Sequence, residues 1–234
     1  MKISVVIPVR NTERYLAESI ESVLGQTRPA EQVVVVDDGA TDQTPAILEK
    51  FVPRILVVRQ AHLGSACALN AGIARATGDH IAFHDADDIW LPGKLMKQCA
   101  MLSNEPALDA GFCMVRQFVS PDWLGEMSDD VARHHDQPGI AKIAMLIRRH
   151  AFERIGPFDE AYRTIDFLDW YGRAVTLGLC MNTLPEVLVL RRVHASNTGL
   201  LQRAAQREEN LRSLKSKLNL ARCLGRAPAG LKTK

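Results

Sequence analysis

The chain has 234 residues, 47% of them hydrophobic and 24% charged, as in an ordinary globular protein of one large domain with room for a tail. It has no run of about 18 apolar residues, so we expect no membrane-spanning helix and a cytoplasmic location, with at most peripheral contact at the inner face of a membrane. The cysteines are scattered without a CxxC spacing, which favours free thiols over a zinc site or a disulfide framework: Cys67, Cys99, Cys113, Cys180 and Cys223.

Strands and helices alternate in the first part of the chain. Short β-branched runs predict buried strands at residues 3–9, 32–36, 54–58 and 80–84. Between them, helical spacing predicts a helix over 15–24 capped by Asn11 or Thr12, then helices over 45–51 and 65–76. This alternation predicts an α/β fold, with a parallel sheet and helices on both of its faces.

The second half is less regular. We predict a helix over 90–103, a strand over 109–119, an irregular segment over 120–140, a strand over 143–147, helices over 150–155 and 167–177, and a last strand over 187–192. From about residue 201 the sequence is amphipathic and basic, so we divide the chain into a domain over 1–200 and a helical tail over 201–234.

Polar clusters follow three of the predicted strands: Arg10-Asn11, Asp37-Asp38 and the run from Asp85 to Asp88. In a parallel sheet the carboxyl ends of the strands meet at one edge, where ligands bind, so we expect the clusters to converge. Asp85, Asp87 and Asp88 are either a capping turn or, because three close carboxylates repel, a site for Mg²⁺ or Mn²⁺. Asp37 and Asp38 can form an Asx-turn and can also accept a hydrogen bond from a nucleobase or ribose.

Several motifs, in order, resemble those of family 2 glycosyltransferases. They are residues 5–11 (VVIPVRN), 35–44 (VVDDGATDQT), Gly64 with 70–72 (NAG), 76–88 (ATGDHIAFHDADD), 146–149 (LIRR) and 156–160 (GPFDE). The resemblance spans roughly residues 1–200. It implies a GT-A fold, with a mixed, mainly parallel sheet, and transfer of a sugar from a nucleoside-diphosphate donor, usually with inversion.

The resemblance also implies roles for individual residues. Those expected at the nucleotide are Pro8, Val9, Asn11, Asp37, Asp38, Gly64, Asn70, Asp85, Ala86 and Arg192. Asp85 and Asp87 match the DxD motif, which contacts the ribose, a Mn²⁺ or Mg²⁺ ion and the diphosphate. His194, after the last predicted strand, could be a further metal ligand, with structural packing as the alternative reading.

An inverting transfer needs a base that deprotonates the acceptor hydroxyl. The family usually carries this Asp in a Glu-Asp-x-Asp segment after the Gly-x-Phe-Asp-Glu turn. Here residues 164–173 (TIDFLDWYGR) depart from that pattern. Alignment on Trp170 makes Asp166 the base, whereas alignment on Arg173 places Phe167 at the base position and makes Asp169 the second acidic residue. We favour Asp166, because otherwise the base is missing; Asp166 could alternatively cap the helix. The departure keeps open a catalytically silent module that binds a nucleotide or a partner.

The expected partners are a nucleotide-sugar donor, with a UDP-sugar favoured, and an acceptor glycan, lipid-linked sugar or other hydroxyl compound contacted from residues 112–140.

Residues 201–234 contain nine Lys or Arg and two Glu, so the tail carries +7 and residues 1–200 carry −5 of the total of +2. Such a tail can pack on the domain through its leucines or lie on an anionic membrane. It has no aromatic residue for stacking on bases, so we expect no nucleic-acid partner.

Overall fold

The computed structural model describes residues 1–121 and 136–194, together with Glu209 and Ser213. In these residues the strands are β1 (Ile3–Val9), β2 (Gln32–Asp38), β3 (Leu56–Gln60), β4 (His80–Phe83), β5 (Ile89–Trp90), β6 (Ala110–Val119), β7 (Asp136–Pro138), β8 (Leu146–Arg148) and β9 (Met181–Val193). The helices are α1 (Leu16–Leu24), α2 (Thr44–Glu49), α3 (Ser65–Arg75), α4 (Lys94–Asn104), α5 (Arg149–Ile155) and α6 (Asp166–Thr176), with a 3-10 helix at Lys142–Ala144.

The strands form one sheet in the order β3-β2-β1-β4-β8-β6-β9-β5, and β7 pairs with β6. Strands β3, β2, β1 and β4 are parallel, as the alternating pattern predicts. Beyond them β8 is antiparallel to both β4 and β6, while β6 and β9 are parallel to each other. The predicted α/β class with a mixed sheet is therefore confirmed.

Helix α3 packs closely on the parallel part of the sheet. Gly72 makes this approach possible, because a Cβ atom there would lie 2.4 Å from Cγ1 of Val6 on β1. Val5, Val6 and Ile7 of β1 are buried, as expected for a central strand of a sheet that helices cover. The central strand β1 thus ends in a rigid, well-packed setting, directly before Arg10 and Asn11.

The predicted start of α1 is wrong in its detail. The N-cap residue is Tyr15, and no side chain caps the helix. Asn11 instead adopts a left-handed backbone conformation with φ 51°, and its Oδ1 accepts a hydrogen bond from the Thr41 amide at 2.8 Å. Asn tolerates this conformation better than most residues. The Asn11 side chain therefore ties the loop after β1 to the loop after β2.

Three predicted elements change type at the far side of the sheet. Trp90, predicted as helical, lies in β5 and pairs with Val189 of β9, so α4 begins later, at Lys94. The predicted strand over 143–147 begins as the 3-10 helix and becomes the strand β8 only at Leu146. Within the predicted irregular segment, Asp136–Pro138 is the strand β7, and residues 122–135 lie outside the described residues.

The thiol prediction holds where it can be checked. Cys67, Cys99, Cys113 and Cys180 are free cysteines, and Cys223 lies outside the described residues. None of the described helices combines the length and the apolar character that a membrane span requires. The predicted tail over 201–234 falls outside that part, apart from Glu209 and Ser213.

Candidate active site

A cavity of about 480 Å³ opens at the carboxyl ends of β1, β2 and β4. The strand-end clusters predicted to converge contribute Arg10, Asp38 and the turn from Asp85 to Asp88 to its wall. Later parts of the chain add Lys142, Arg163, Thr164, Asp166 and Arg191. Of the residues expected at the nucleotide, Pro8, Val9, Gly64 and Ala86 also line it. Carboxylates and cationic side chains therefore share one pocket.

The acidic turn after β4 concentrates negative charge. Burial raises the pKa of Asp85; Lys142 opposes this rise, whereas Asp87 adds to it. Burial also raises the pKa of Asp88 well above its usual value, with further contributions from Asp87 and Asp85. The three carboxylates thus repel one another at close quarters, Asp88 buried and Asp85 and Asp87 partly exposed, which is the condition that favours a bound cation.

Residues of β9 and beyond close over this turn. Nε2 of His194 lies 2.9 Å from Oδ2 of Asp87. Burial alone would raise the pKa of Asp87, but this hydrogen bond and the charge of His194 lower it. The Arg192 amide donates to Asp88 Oδ1 at 2.8 Å, and its guanidinium Nε donates to the Asp87 carbonyl at 2.9 Å. The pairing of β9 with β5 thereby fixes the geometry of the acidic turn.

Asp38 at the end of β2 organises the loop between β3 and α3. Its Oδ1 accepts hydrogen bonds from Gln60 Nε2 and the Leu63 amide, each at 2.8 Å. Its Oδ2 accepts from His62 Nδ1 at 3.0 Å and from the Gly64 amide at 2.9 Å. Burial opposes ionisation of Asp38, but these four bonds together lower its pKa. The carboxylate is therefore charged, and it shapes the wall of the cavity on which His62 and Gly64 lie.

Asp166 and Asp169, the two candidate bases, lie in different surroundings. Asp166 lines the cavity, where its Oδ2 accepts a hydrogen bond from Ser65 Oγ at 2.8 Å. Both residues are buried, but Asp169 is not one of the described lining residues. Its Oδ2 accepts from Arg173 Nε at 3.1 Å and its Oδ1 from Ser213 Oγ at 2.7 Å. Asp166 therefore faces the cavity, whereas Asp169 holds α6 and Ser213 together.

Four of the residues expected at the nucleotide are engaged elsewhere and are not among the described lining residues: Asn11, Asp37, Asn70 and Arg192. Asp37 accepts a hydrogen bond from the Ala40 amide at 2.9 Å, the Asx-turn reading of that residue. Asn70 binds both the amide and the carbonyl of Phe158, at 3.1 and 2.9 Å. These residues fix the loops that carry the lining residues.

The sequence reasoning missed the cationic side of the cavity. Lys142, Arg163 and Arg191 line it, and Lys142 Nζ lies 3.2 Å from Asp85 Oδ1. Arg191 adjoins Arg192, which the family resemblance places at the nucleotide. No strand-end pattern distinguishes Lys142 or Arg163. Lys142 precedes β8 and Arg191 lies in β9, so their placement depends on the antiparallel part of the sheet, which local periodicity does not predict. Arg163 lies in the segment between α5 and α6.

Comparison with known proteins agrees with this architecture. The model of the family "Glycosyl transferase family 2" matches residues 4–156. An uncharacterised glycosyltransferase of Nostoc sp. is 32% identical, over 91% of this chain and 71% of the relative. One of Rickettsia typhi is 30% identical, over 86% of this chain and 67% of the relative.

Solved structures share the fold at lower identity. S. aureus TarS in complex with UDP aligns with a TM-score of 0.67 and 22% identity, over 82% of this chain and 61% of that chain. The mannosyltransferase PcManGT from Pyrobaculum calidifontis, in complex with GDP-Man and Mn²⁺, aligns with a TM-score of 0.65 and 21% identity, over 86% of this chain and 59% of that chain. The chain thus spans about 60% of the length of each of these two solved chains.

The mixed sheet and these structural neighbours define a GT-A fold of the glycosyltransferase class. The chain belongs to glycosyl transferase family 2. The family resemblance drawn from the motifs, and the GT-A fold that it implies, are therefore confirmed.

Proposed function

We propose that the chain transfers a hexosyl group from a nucleoside-diphosphate sugar to an acceptor hydroxyl, with inversion at the anomeric carbon and with Mn²⁺ or Mg²⁺ at the acidic turn. The observation that carries the proposal is the sharing of one cavity by Asp38, Asp85, Asp87 and Asp166, at the carboxyl ends of parallel strands. The UDP complex of TarS and the GDP-Man complex of PcManGT support a nucleotide-sugar donor.

The cavity offers complementary surfaces to such a donor. The loop that Asp38 organises, with His62 and Gly64, lines the cavity together with Pro8 and Val9 and would contact the nucleoside. Arg163, Arg191 and Lys142 supply positive charge for the diphosphate. Because guanidinium groups bind phosphate oxygens in a fixed, forked geometry, the arginines would also orient the leaving group.

Asp166 is the proposed base. Its Oδ2 already holds the hydroxyl of Ser65, so a carboxylate oxygen in this position can accept a proton from a hydroxyl donor. The amide of Phe167 donates to the other oxygen, Oδ1, at 2.6 Å and fixes the orientation of the carboxylate. Proton transfer to Asp166 would accompany attack of the acceptor oxygen on the anomeric carbon.

The residues at the acidic turn fit a divalent ion by their chemistry. Asp85 and Asp87 offer the carboxylate oxygens that Mg²⁺ and Mn²⁺ prefer, and His194, within 2.9 Å of Asp87, offers an imidazole nitrogen. Among the described residues no group of three or more His, Cys, Asp or Glu side chains is arranged as a metal cage. Such ions are commonly held by one or two carboxylates together with substrate phosphates, a mode that needs no cage. A bound ion would stabilise the charge of the departing diphosphate as a Lewis acid.

Calorimetric titration with UDP, GDP and TDP, each with and without MnCl₂, tests the proposal. We expect one nucleotide to bind more tightly with Mn²⁺, and Asp87→Ala to lose this gain because it removes both a metal ligand and the partner of His194. Asp136→Ala, which removes an exposed carboxylate paired with Arg116 outside the cavity, should bind as the wild type does. Absence of binding by any nucleotide under either condition would contradict the proposal and favour a module that binds some other partner.

A further inference from the structure

Lys142 is the side chain of the cavity whose charge and position are least expected at an acidic metal site. Its Nζ lies 3.2 Å from Asp85 Oδ1, and the two side chains are 17% and 34% exposed. A lysine ammonium therefore already lies beside one candidate metal ligand.

The backbone around Lys142 is anchored from the core, so this placement is built into the fold. Trp90 Nε1 donates to the Ile143 carbonyl at 3.0 Å, and Gln98 Nε2 donates to the Ala144 carbonyl at 2.7 Å. Trp90 and Gln98 are both buried. These two hydrogen bonds fix the inner side of the 3-10 helix that carries Lys142. The Lys142 ammonium is thereby held beside the acidic turn.

We propose that the Lys142 ammonium is a built-in counter-cation that competes with free divalent metal at Asp85, so that metal binds well only together with the nucleoside diphosphate. The inference rests on the proposed metal site at Asp85 and Asp87. A divalent ion held by Asp85 would be repelled by the nearby ammonium. A diphosphate adds negative charge that attracts both cations, so nucleotide and metal assist each other's binding by the same factor.

Neutral variants of Lys142 separate this role from simple support of the fold. We expect Lys142→Met to bind Mn²⁺ alone at least about fivefold more tightly than the wild type, because a repelling unit charge a few ångströms away is gone. The same variant should bind nucleoside diphosphate alone more weakly, since a phosphate-facing cation is lost. The factor by which nucleotide improves Mn²⁺ binding should therefore fall. Lys142→Arg, which keeps the charge, should stay near the wild type.

The experiment is titration of the full chain with MnCl₂ alone, with UDP, GDP or TDP alone, and with both. Lys97→Met is the matched control, because it removes one lysine that is ion-paired with a carboxylate, Glu186, away from the cavity. Thermal unfolding and near-ultraviolet circular dichroism check that each variant is folded, and Lys142→Gln replaces Lys142→Met if the latter does not fold.

The outcomes are distinct. Tighter binding of Mn²⁺ alone by the neutral variants, with the control unchanged, supports the role of Lys142. Equal or weaker Mn²⁺ binding by a folded neutral variant overturns it while leaving the proposed function standing, provided that the wild type binds Mn²⁺ with nucleotide. Failure of both the wild type and the neutral variants to bind Mn²⁺ with any nucleotide overturns the metal part of the proposed function and the inference with it.

Discussion

Asp166 and Asp169 show how a separation of three residues decides the chemistry available to a carboxylate. Asp166, at the first position of α6, faces the cavity and the Ser65 hydroxyl. Asp169, one turn later, is buried against Arg173, whose guanidinium also binds the Ile155 and Pro157 carbonyls. The sequence left both residues open as the base, because alignment on Trp170 and on Arg173 gave different answers. We propose Asp166 as the base, because it lines the cavity and Asp169 is not among the described lining residues.

Replacement of each Asp by Asn distinguishes the two. We expect Asp166→Asn to lower the rate of nucleoside-diphosphate release from the donor by about 10² or more, because loss of a general base typically costs that much. Its nucleotide affinity should remain close to that of the wild type. Asp169→Asn should keep the rate and lose stability, since it weakens buried hydrogen bonds. The assay is nucleotide release with a panel of hydroxyl acceptors, and an inactive but stable Asp169→Asn would contradict the assignment.

For other residues, the sequence predicts which residue types lie near the site but not which partners their side chains bind. The motifs pointed to the strand-end clusters, and Pro8, Val9, Asp38 and the acidic turn do line the cavity. They did not show that Asn11 and Asn70 would use their amide groups to join loops, because such bonds depend on residues far away in sequence, Thr41 and Phe158. A motif fixes residue type and spacing, whereas the partner of a polar side chain is fixed by packing.

At the scale of elements, the C-terminal residues Glu209 and Ser213 attach to the start of α6. The Glu209 carboxylate accepts hydrogen bonds from the Arg163 and Thr164 amides, each at 3.0 Å, and from Thr164 Oγ1 at 2.6 Å. Burial opposes ionisation of Glu209, but its bonds to Thr164 and to the neighbouring amides lower its pKa. Arg163 and Thr164 line the cavity, so this carboxylate supports part of its wall from outside.

Removal of that support should loosen the segment before α6. In Glu209→Ala the Arg163 and Thr164 amides lose their acceptor, and we expect their hydrogen exchange to accelerate at least about tenfold, as local opening becomes easier. Glu153→Ala removes an exposed carboxylate from α5 and serves as the control. Unchanged exchange at residues 163 and 164 in Glu209→Ala would show that Glu209 does not hold the segment.

The elements themselves were predicted well in the parallel half and less well beyond it. The predicted strand over 3–9 has the observed bounds, and the predicted helix over 65–76 differs by one residue at its end. In the second half, Trp90 has an apolar neighbourhood that suits a helix or a strand, and its pairing with Val189 of β9 decides the outcome. The predicted last strand, over 187–192, likewise extends back to Met181 because β6 provides a long partner.

At the scale of the whole molecule, a lysine buried in the core should make the stability of the fold depend on pH. Lys94 is fully buried, with Nζ 2.9 Å from Gln98 Oε1 and 3.8 Å from the centre of the Trp90 ring. Burial lowers its pKa from 10.5 to about 8. Between pH 8 and 10.5 the Lys94 amine is protonated in the unfolded chain and neutral in the folded chain. The free energy of unfolding should therefore rise with pH across that window.

The free energy of unfolding as a function of pH tests this. Relative to Lys94→Met, the wild type should gain stability between pH 8 and 10.5, by an amount on the order of 3 kcal/mol if the whole shift is realised. Urea unfolding at several pH values measures the difference, in which the titration of groups common to both proteins cancels. Parallel curves for the two proteins would mean that Lys94 does not titrate in this range.

The hydrogen bonds between Asp87, Asp88, Arg192 and His194 join parts of the chain that lie 104 to 107 residues apart. A ribosome must therefore release the chain beyond His194 before the acidic turn can take its final shape, even though β1 to β4 were synthesised long before. During synthesis the parallel half can fold early while the donor site stays unfinished. Nucleotide binding would then report that translation of the domain is complete, and a nascent chain arrested before β9 should bind none.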